Sequence, residues 1–245
     1  MPELLTDVAR TLAPPKGDRD GPLPPLMLML TAVTGLVDAV SYLALGHVFV
    51  ANMTGNVVFL GFALAGAEGL SALASVVAIA AFLVGALAGG RLGARFAAHR
   101  GQLLAVTAAI QSALVAVAVV TALVSHGDVP TAVQYTLIVV LGLAMGIQNA
   151  VARRLGVPDL TTTVLTLTLT GLAADSHPAG GAAPRPGRRI LSVLVMFLGA
   201  LAGAVLLLHS ELAVPLGLSL LLLVVTSLTA HRLSASNAVW TKPQP

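Results

Sequence analysis

Apolar positions along the chain fall into six runs, 26–46, 71–90, 102–124, 131–151, 190–208 and 213–231. Each is long enough to cross a bilayer as a helix, which takes about 20 residues. Two shorter stretches are apolar but open on polar residues. One spans 52–66 and begins Asn52-Met53-Thr54-Gly55-Asn56; the other spans 159–173 and begins Asp159-Leu160-Thr161-Thr162-Thr163. The pattern predicts an all-α, polytopic membrane protein whose topology depends on what these two stretches do.

The basic residues decide between the alternatives. If both short stretches cross and the N-terminus is inside, Arg91, Arg95, Arg100, Arg153 and Arg154 fall outside. If both enter and leave by the same side, all 13 Lys and Arg lie inside, and the outer loops around Glu68, Asp128 and Glu211 hold none. Basic residues concentrate on the cytoplasmic side of membrane proteins, so the expectation is six full transmembrane helices plus two short re-entrant or broken segments. Both termini are then cytoplasmic, in a bacterial inner membrane. Residues 1–24 mix charges with prolines, lack the apolar core of a signal peptide and read as a cytosolic tail. Residues 233–245 read as a second one.

The chain also repeats itself. Phe82-Leu83-Val84-Gly85-Ala86-Leu87-Ala88-Gly89 returns as Phe197-Leu198-Gly199-Ala200-Leu201-Ala202-Gly203, and Gly35-Leu36-Val37-Asp38-Ala39-Val40 is echoed by Gly146-Ile147-Gln148-Asn149-Ala150-Val151. The offsets nearly agree, 199 − 85 being 114 and 149 − 38 being 111. With three spans in each, residues 25–125 and 126–232 are expected to form two inverted three-helix repeats, a usual build for transporters. Gly85 with Gly89, and Gly199 with Gly203, have the spacing that lets helices touch backbone to backbone, and are expected to serve helix packing.

Composition agrees with a membrane protein. Hydrophobic residues make up 57% and charged residues 9%, whereas a soluble domain carries roughly 25% charged residues. The basic balance, net +3, belongs to loops beside apolar runs and does not point to nucleic acid. With no cysteine, thiolate chemistry and Cys-ligated metal sites are excluded. The six histidines show no helical pairing, so neither a metal nor another cofactor is expected, and no nucleotide loop, catalytic triad pattern or HExxH occurs. The partners implied are the lipid bilayer and a small solute or ion; a homo-oligomer is compatible.

Asp38 is the only acid within an expected span. Intramembrane acids are costly and tend to face a polar interior. Its helical neighbours at i+3 and i+4 steps are Thr31, Thr34, Gly35 and Tyr42. Asp38 reads either as a proton or cation coupling site or as a carboxyl that only hydrogen-bonds its neighbours. Its counterpart is Asn149, beside Gln148; these amides either share a polar centre with Asp38 or link helices. Asn52, Thr54, Gly55 and Asn56 occupy the same place in the first half as Thr161, Thr162 and Thr163 in the second. Each set can start a short helix whose free N–H groups attract anionic or electron-rich groups, or it simply marks the membrane interface. Arg185-Pro186-Gly187-Arg188-Arg189 either meets anionic headgroups or only fixes orientation.

The run from Thr31 to Ala65 carries a resemblance. Gly35-x-x-Asp38-Ala39-Val40-Ser41-Tyr42-Leu43 followed by Val48-Phe49-Val50-Ala51-Asn52-Met53-Thr54-Gly55-Asn56 is similar to the YoaK-like bacterial membrane proteins, catalogued as a domain of unknown function. The resemblance implies a multi-spanning inner-membrane protein and singles out Asp38, Asn52, Thr54, Gly55 and Asn56; it supplies no substrate. The function expected from the residues is a secondary transporter or channel-like permease for a small solute, with Asp38 as coupling carboxyl. A lipid-modifying intramembrane enzyme and a non-catalytic membrane partner are the alternatives.

Overall fold

A computed structural model describes residues 2–126, 128–163, 165–235 and 238–243. Among these residues the regular structure is entirely helical: α1 Pro2–Leu12, α2 Leu23–Ala44, α3 Met53–Leu64, α4 Ala72–Arg95, α5 Arg100–Val124, α6 Thr131–Leu155, α7 Leu165–Ala174, α8 Pro186–His209 and α9 Ala213–Ser234, with short 3₁₀ turns at His177–Ala179 and Val239–Thr241. Six helices (α2, α4, α5, α6, α8 and α9) are long and apolar enough to cross a membrane. The helix boundaries follow local chemistry. The Ser71 side chain accepts from the Ala74 N–H to start α4, and the His99 side chain accepts from the Gln102 N–H to start α5. Gly156 ends α6 in the left-handed conformation, φ 61°.

Side-chain contacts give each helix its direction. Glycines set α4 against α6: a Cβ on Gly89 would lie 2.7 Å from the Ile147 carbonyl, and one on Gly85 would meet that of Leu143. The same register joins α2 to α8, with Gly199 against Ala32 and Gly203 against Leu36. Both pairs run parallel. Gln148 reaches Thr34 (2.8 Å) while Gln134 reaches the Leu45 carbonyl (2.9 Å), so α2 and α6 are antiparallel. Arg100 with Leu155 (2.7 Å) and Gln111 with Ala144 (3.1 Å) make α5 antiparallel to α6. Ser227 on the Ala105 carbonyl (3.0 Å) and Gly101 beside Ser234 do the same for α5 and α9.

These directions fix the connections. α2 and α4 run in opposite senses, so segment 45–71, which carries α3, begins and ends at one end of the bundle. α6 and α8 also oppose each other, so segment 156–185, which carries α7, begins and ends at the other. At about 1.5 Å per residue, α3 and α7 are only about 18 and 15 Å long, too short to cross roughly 30 Å of hydrocarbon.

Arg91 and Arg95 end α4, Arg100 begins α5, Arg153 and Arg154 lie in the last turn of α6, Arg185 directly precedes α8, whose first turn holds Arg188 and Arg189, and Arg232 lies in the last turn of α9. α1 packs on the first turn of α8 through Gly187, and Trp240 packs on Gly101 at the start of α5. All 13 basic residues therefore gather at one end, while Glu68, Asp128 and Glu211 occupy connections at the other. α2 and α6 form the core, with 72% and 61% of their membrane windows buried, against 17% for α8. The outer positions of α4 and α8 (Leu83, Leu87, Phe197, Leu198 and Leu201) are exposed, as suits a lipid solvent.

Candidate functional site

Asp38 sits six residues before the end of α2, about 9 Å in from that end of the helix. Beyond Ala44 the chain turns through Gly46 and His47, both at positive φ (86° and 56°), and falls back along the helix it has just left. Two side chains hold it there. One carboxylate oxygen of Asp38 accepts from the Val50 N–H (3.3 Å) and the Ala51 N–H (3.0 Å). Asn56 grips Phe49 on both sides: its Oδ1 accepts from the Phe49 N–H (2.8 Å) and its Nδ2 donates to the Phe49 carbonyl (2.5 Å). A non-regular backbone has no water to bond at such depth, so its polar groups need protein partners. Asp38 and Asn56, both buried, supply them.

α3 then starts at the level of Asp38. It climbs back toward the end from which the loop came, bringing Phe59 level with Tyr42. Tyr42 stacks on Phe49 at 5.1 Å and meets His47 edge-on at 5.2 Å, with Phe59 6.0 Å away. A Cβ on Gly55 would lie 2.7 Å from the Phe49 ring, so glycine is required by close approach.

A second turn, after α6, is held by different chemistry. Asn149 also lies six residues before its helix ends, at Leu155. Its Oδ1 accepts from the Thr163 hydroxyl (2.5 Å) and its Nδ2 donates to the Met145 carbonyl (3.0 Å). Thr162, buried beside it, has φ 66°, an unusual conformation for a β-branched residue. α7 leads back to the basic end, where Arg189 holds Asp159 (2.9 Å) and Asp175 (2.8 Å) and Arg185 also reaches Asp159 (3.3 Å). The 185–189 run thus anchors this segment.

The two turns meet at a cavity of about 380 Å³. Ala51, Asn52, Met53, Thr54 and Gly55 line one side; Asn149, Thr163, Leu165 and Thr166 line the other; Phe82 of α4 and Met196 of α8 complete it. Asn52, the N-cap residue of α3, makes no side-chain cap bond, and it lines the space together with the first residues of that helix, Met53, Thr54 and Gly55. A larger cavity of about 660 Å³ shares Phe82, Asn149 and Thr163 and reaches Arg153 and Gly156 at the basic end. Thr161 lines that second cavity.

Among the residues singled out from sequence, Asn52, Thr54, Gly55, Asn149 and Thr163 come together around one space. Asp38, Tyr42 and Asn56 stand behind its wall and hold it in shape. Gln148 is elsewhere, in a buried chain: its Nε2 donates to Thr34 (2.8 Å) and its Oε1 accepts from Gln111 (2.9 Å), tying α2, α6 and α5. Sequence reasoning passed over Gln111, although an amide within an apolar run was a sufficient signal. Gln148→Leu is expected to remove one bond each from Gln111 and Thr34, which keep the Ala144 and Leu30 carbonyls, and to cost about 1 kcal/mol. The Gln111→Leu/Gln148→Leu double variant should cost less than the sum, because both single variants lose the same Gln111–Gln148 bond; thermal unfolding in detergent reads both.

The comparisons with known proteins agree on kind. A family model described as protein of unknown function (DUF1275) matches residues 26–229. The UPF0700 transmembrane protein YoaK of Bacillus subtilis (strain 168) is 34% identical over 155 residues, 61% of this chain and 65% of that relative. The match therefore spans just under two thirds of the relative's length. No solved structure matches.

Proposed function

The chain belongs to the DUF1275 family, membrane proteins of unassigned activity, and we propose that it is a secondary transporter or channel-like permease for a small solute bound where α3 and α7 meet. The observation that carries this reading is the cavity of about 380 Å³ between the starts of two short helices that enter from opposite ends of the bundle. Broken helices whose ends face a midplane cavity are a transporter's way of recognising a solute without exposing backbone to lipid. Asn52, Thr54, Asn149 and Thr163 offer hydrogen bonds, and the α3 N-terminus favours an anionic or electron-rich group.

In this reading residues 25–125 and 126–232 are inverted repeats. The pairing of helices supports it: α4 of the first half lies on α6 of the second, and α8 of the second lies on α2 of the first. The antiparallel pairs α2/α6 and α5/α9 each join equivalent helices. The basic end faces the cytoplasm of a bacterial inner membrane, by the positive-inside bias, and both termini lie there. Asp38 is the coupling carboxyl and acts through the Val50–Ala51 peptides rather than by touching the solute.

Orientation is tested by single-cysteine labelling, which suits a chain with no native cysteine. Cysteines at positions 68 and 211 should label from outside, and those at 99, 153 and 177 only after the membrane is permeabilised; labelling of 68 from the cytoplasm alone would overturn the orientation. Function is tested by solute-evoked currents or tracer uptake in proteoliposomes across a panel of small anions and neutral polar solutes. Signals that vanish in Asn149→Leu and Asn52→Leu support the site. A flat response across the panel, together with a lipid species missing from a deletion strain, would favour lipid-modifying chemistry instead.

A further inference from the structure

The basic end holds a second constellation, separate from the central cavity. Arg100, the first residue of α5, and Arg188, in the first turn of α8, are both buried (5% and 8% exposed), and one carboxylate lies between them. Asp20 reaches Arg100 Nη2 at 3.2 Å with Oδ1 and Arg188 Nη1 at 3.6 Å with Oδ2. The guanidinium groups also hold the end of α6 and the turn after it: Arg100 donates to the Leu155 carbonyl (2.7 Å) and Arg188 to the Pro158 carbonyl (3.5 Å). Asp20 is itself presented by a turn, in which Asp18 accepts from the Asp20 N–H (2.8 Å) and the Gly21 N–H (3.3 Å).

The donors outnumber what Asp20 can satisfy. Nε and Nη1 of Arg100 and Nε of Arg188 are buried without a hydrogen-bond partner among the described residues. A guanidinium carries five N–H donors in a fixed fork, and a buried charge is tolerated when paired and fully bonded. The two guanidinium groups share this one carboxylate, the Asp7 carboxylate being taken by the Arg188 backbone N–H (3.1 Å), and several guanidinium donors are left over. A phosphate-type oxyanion has more acceptor oxygens than a carboxylate and suits paired arginines.

We propose that Arg100 and Arg188 form a binding site for a phosphate-type oxyanion, and that Asp20 is its built-in competitor. A cavity of about 290 Å³ lies beside this segment, lined by Lys16, Gly17, Asp18 and Pro22 with Val239, while Gly21 packs directly on the Trp240 ring. When an oxyanion takes the arginine pair, Asp20 swings out and the N-terminal segment leaves the start of α8. Because the same arginines hold Leu155 and Pro158, occupancy is communicated to the turn that carries Thr161 and Thr163. The inference is independent of the transport reading; it concerns binding alone.

The test is thermal unfolding of purified protein, with inorganic phosphate against chloride at equal ionic strength. Lipid-free detergent is one arm; nanodiscs of phosphatidylcholine with and without phosphatidylglycerol are the other. In Asp20→Asn, where the competitor has lost its charge, phosphate should raise the midpoint by about 5 °C; wild type should respond less, and Asp20→Asn/Arg188→Gln not at all. A rise with phosphatidylglycerol but none with phosphate assigns the site to a lipid headgroup. A response in neither arm, or one that chloride reproduces, overturns the proposal. If Asp20→Asn does not fold, the wild-type difference between phosphate and chloride decides: its loss in Arg188→Gln supports the site, and its absence from wild type refutes it.

Discussion

A leucine at Gly85 or at Gly199 is expected to break the bundle, each by more than about 3 kcal/mol. Both glycines stand where two helices meet backbone to backbone. A Cβ at Gly199 would lie 2.5 Å from the Ala32 carbonyl oxygen, and one at Gly85 would overlap the Leu143 carbonyl. The partner helices answer with glycines of their own: Gly146 faces the Phe82 carbonyl, and a Cβ on Gly35 would lie 2.5 Å from that of Met196. Backbone cannot move aside as a side-chain tip can, so each pair of helices must separate. In lipid no hydrophobic force pulls them back, because apolar side chains are as well solvated by acyl chains as by protein. The dispersion contacts along the whole seam are lost with the approach. Gly61→Leu and Gly217→Leu are the controls, since nothing lies within 4 Å of a Cβ at either position; both should stay within about 0.5 kcal/mol of wild type. Fluorescence-detected size exclusion and a melting curve distinguish the two groups. Normal melting of Gly85→Leu would show that the α4–α6 contact is looser than its geometry implies.

Much of this architecture was legible in the pattern of apolar runs, because the membrane imposes one solution on the backbone. A span must be helical and about 20 residues long, so the six runs map onto six helices with ends displaced by a few residues. The displacements occur where polar residues continue a helix past the hydrocarbon. Arg91 and Arg95 extend α4 beyond position 90, and Arg153 and Arg154 extend α6 beyond 151. Asn52, Thr54, Asn149 and Thr163 stood out as polar residues in apolar stretches, and folding brings them around one cavity. Other features were illegible because the signal lay in tertiary partnership. Residues 1–24 read as a tail, yet Pro2–Leu12 is helical and docks on α8 through Gly187. Arg100 and Arg188 read as orientation charges, and only folding shows that they share Asp20. Asp38 read either as a coupling site or as a carboxyl bonding its neighbours; the peptides it holds are twelve and thirteen residues away, a separation that no helical periodicity encodes.

Asp38→Leu is expected to silence the protein, and Asp38→Asn to separate the carboxyl's two tasks. Leucine leaves the Val50 and Ala51 N–H groups without an acceptor at a depth where water does not compensate. Each unsatisfied group costs about 1–3 kcal/mol, so the loop should release, α3 should lose its fixed start, and the wall formed by Ala51–Gly55 should open. Asparagine is a different case. Its Oδ1 can accept the same two bonds, so the melting midpoint should stay close to wild type; what it cannot do is carry a charge that a proton neutralises. The second half supplies a natural comparison, because Asn149 fixes its own turn through Thr163 with an amide. Holding such a turn therefore does not demand a carboxylate; in the proposed transport cycle a titratable group at this place serves coupling. Protonation would weaken the grip on Val50 and Ala51 and free the turn, linking a proton to the shape of the cavity. In proteoliposomes, Asp38→Asn should retain passive exchange of solute but lose accumulation driven by a pH gradient. Full accumulation by this variant would reduce Asp38 to a clamp and remove gradient coupling from the mechanism; loss of both activities with an unchanged melting curve would place the carboxylate's charge in the solute pathway itself.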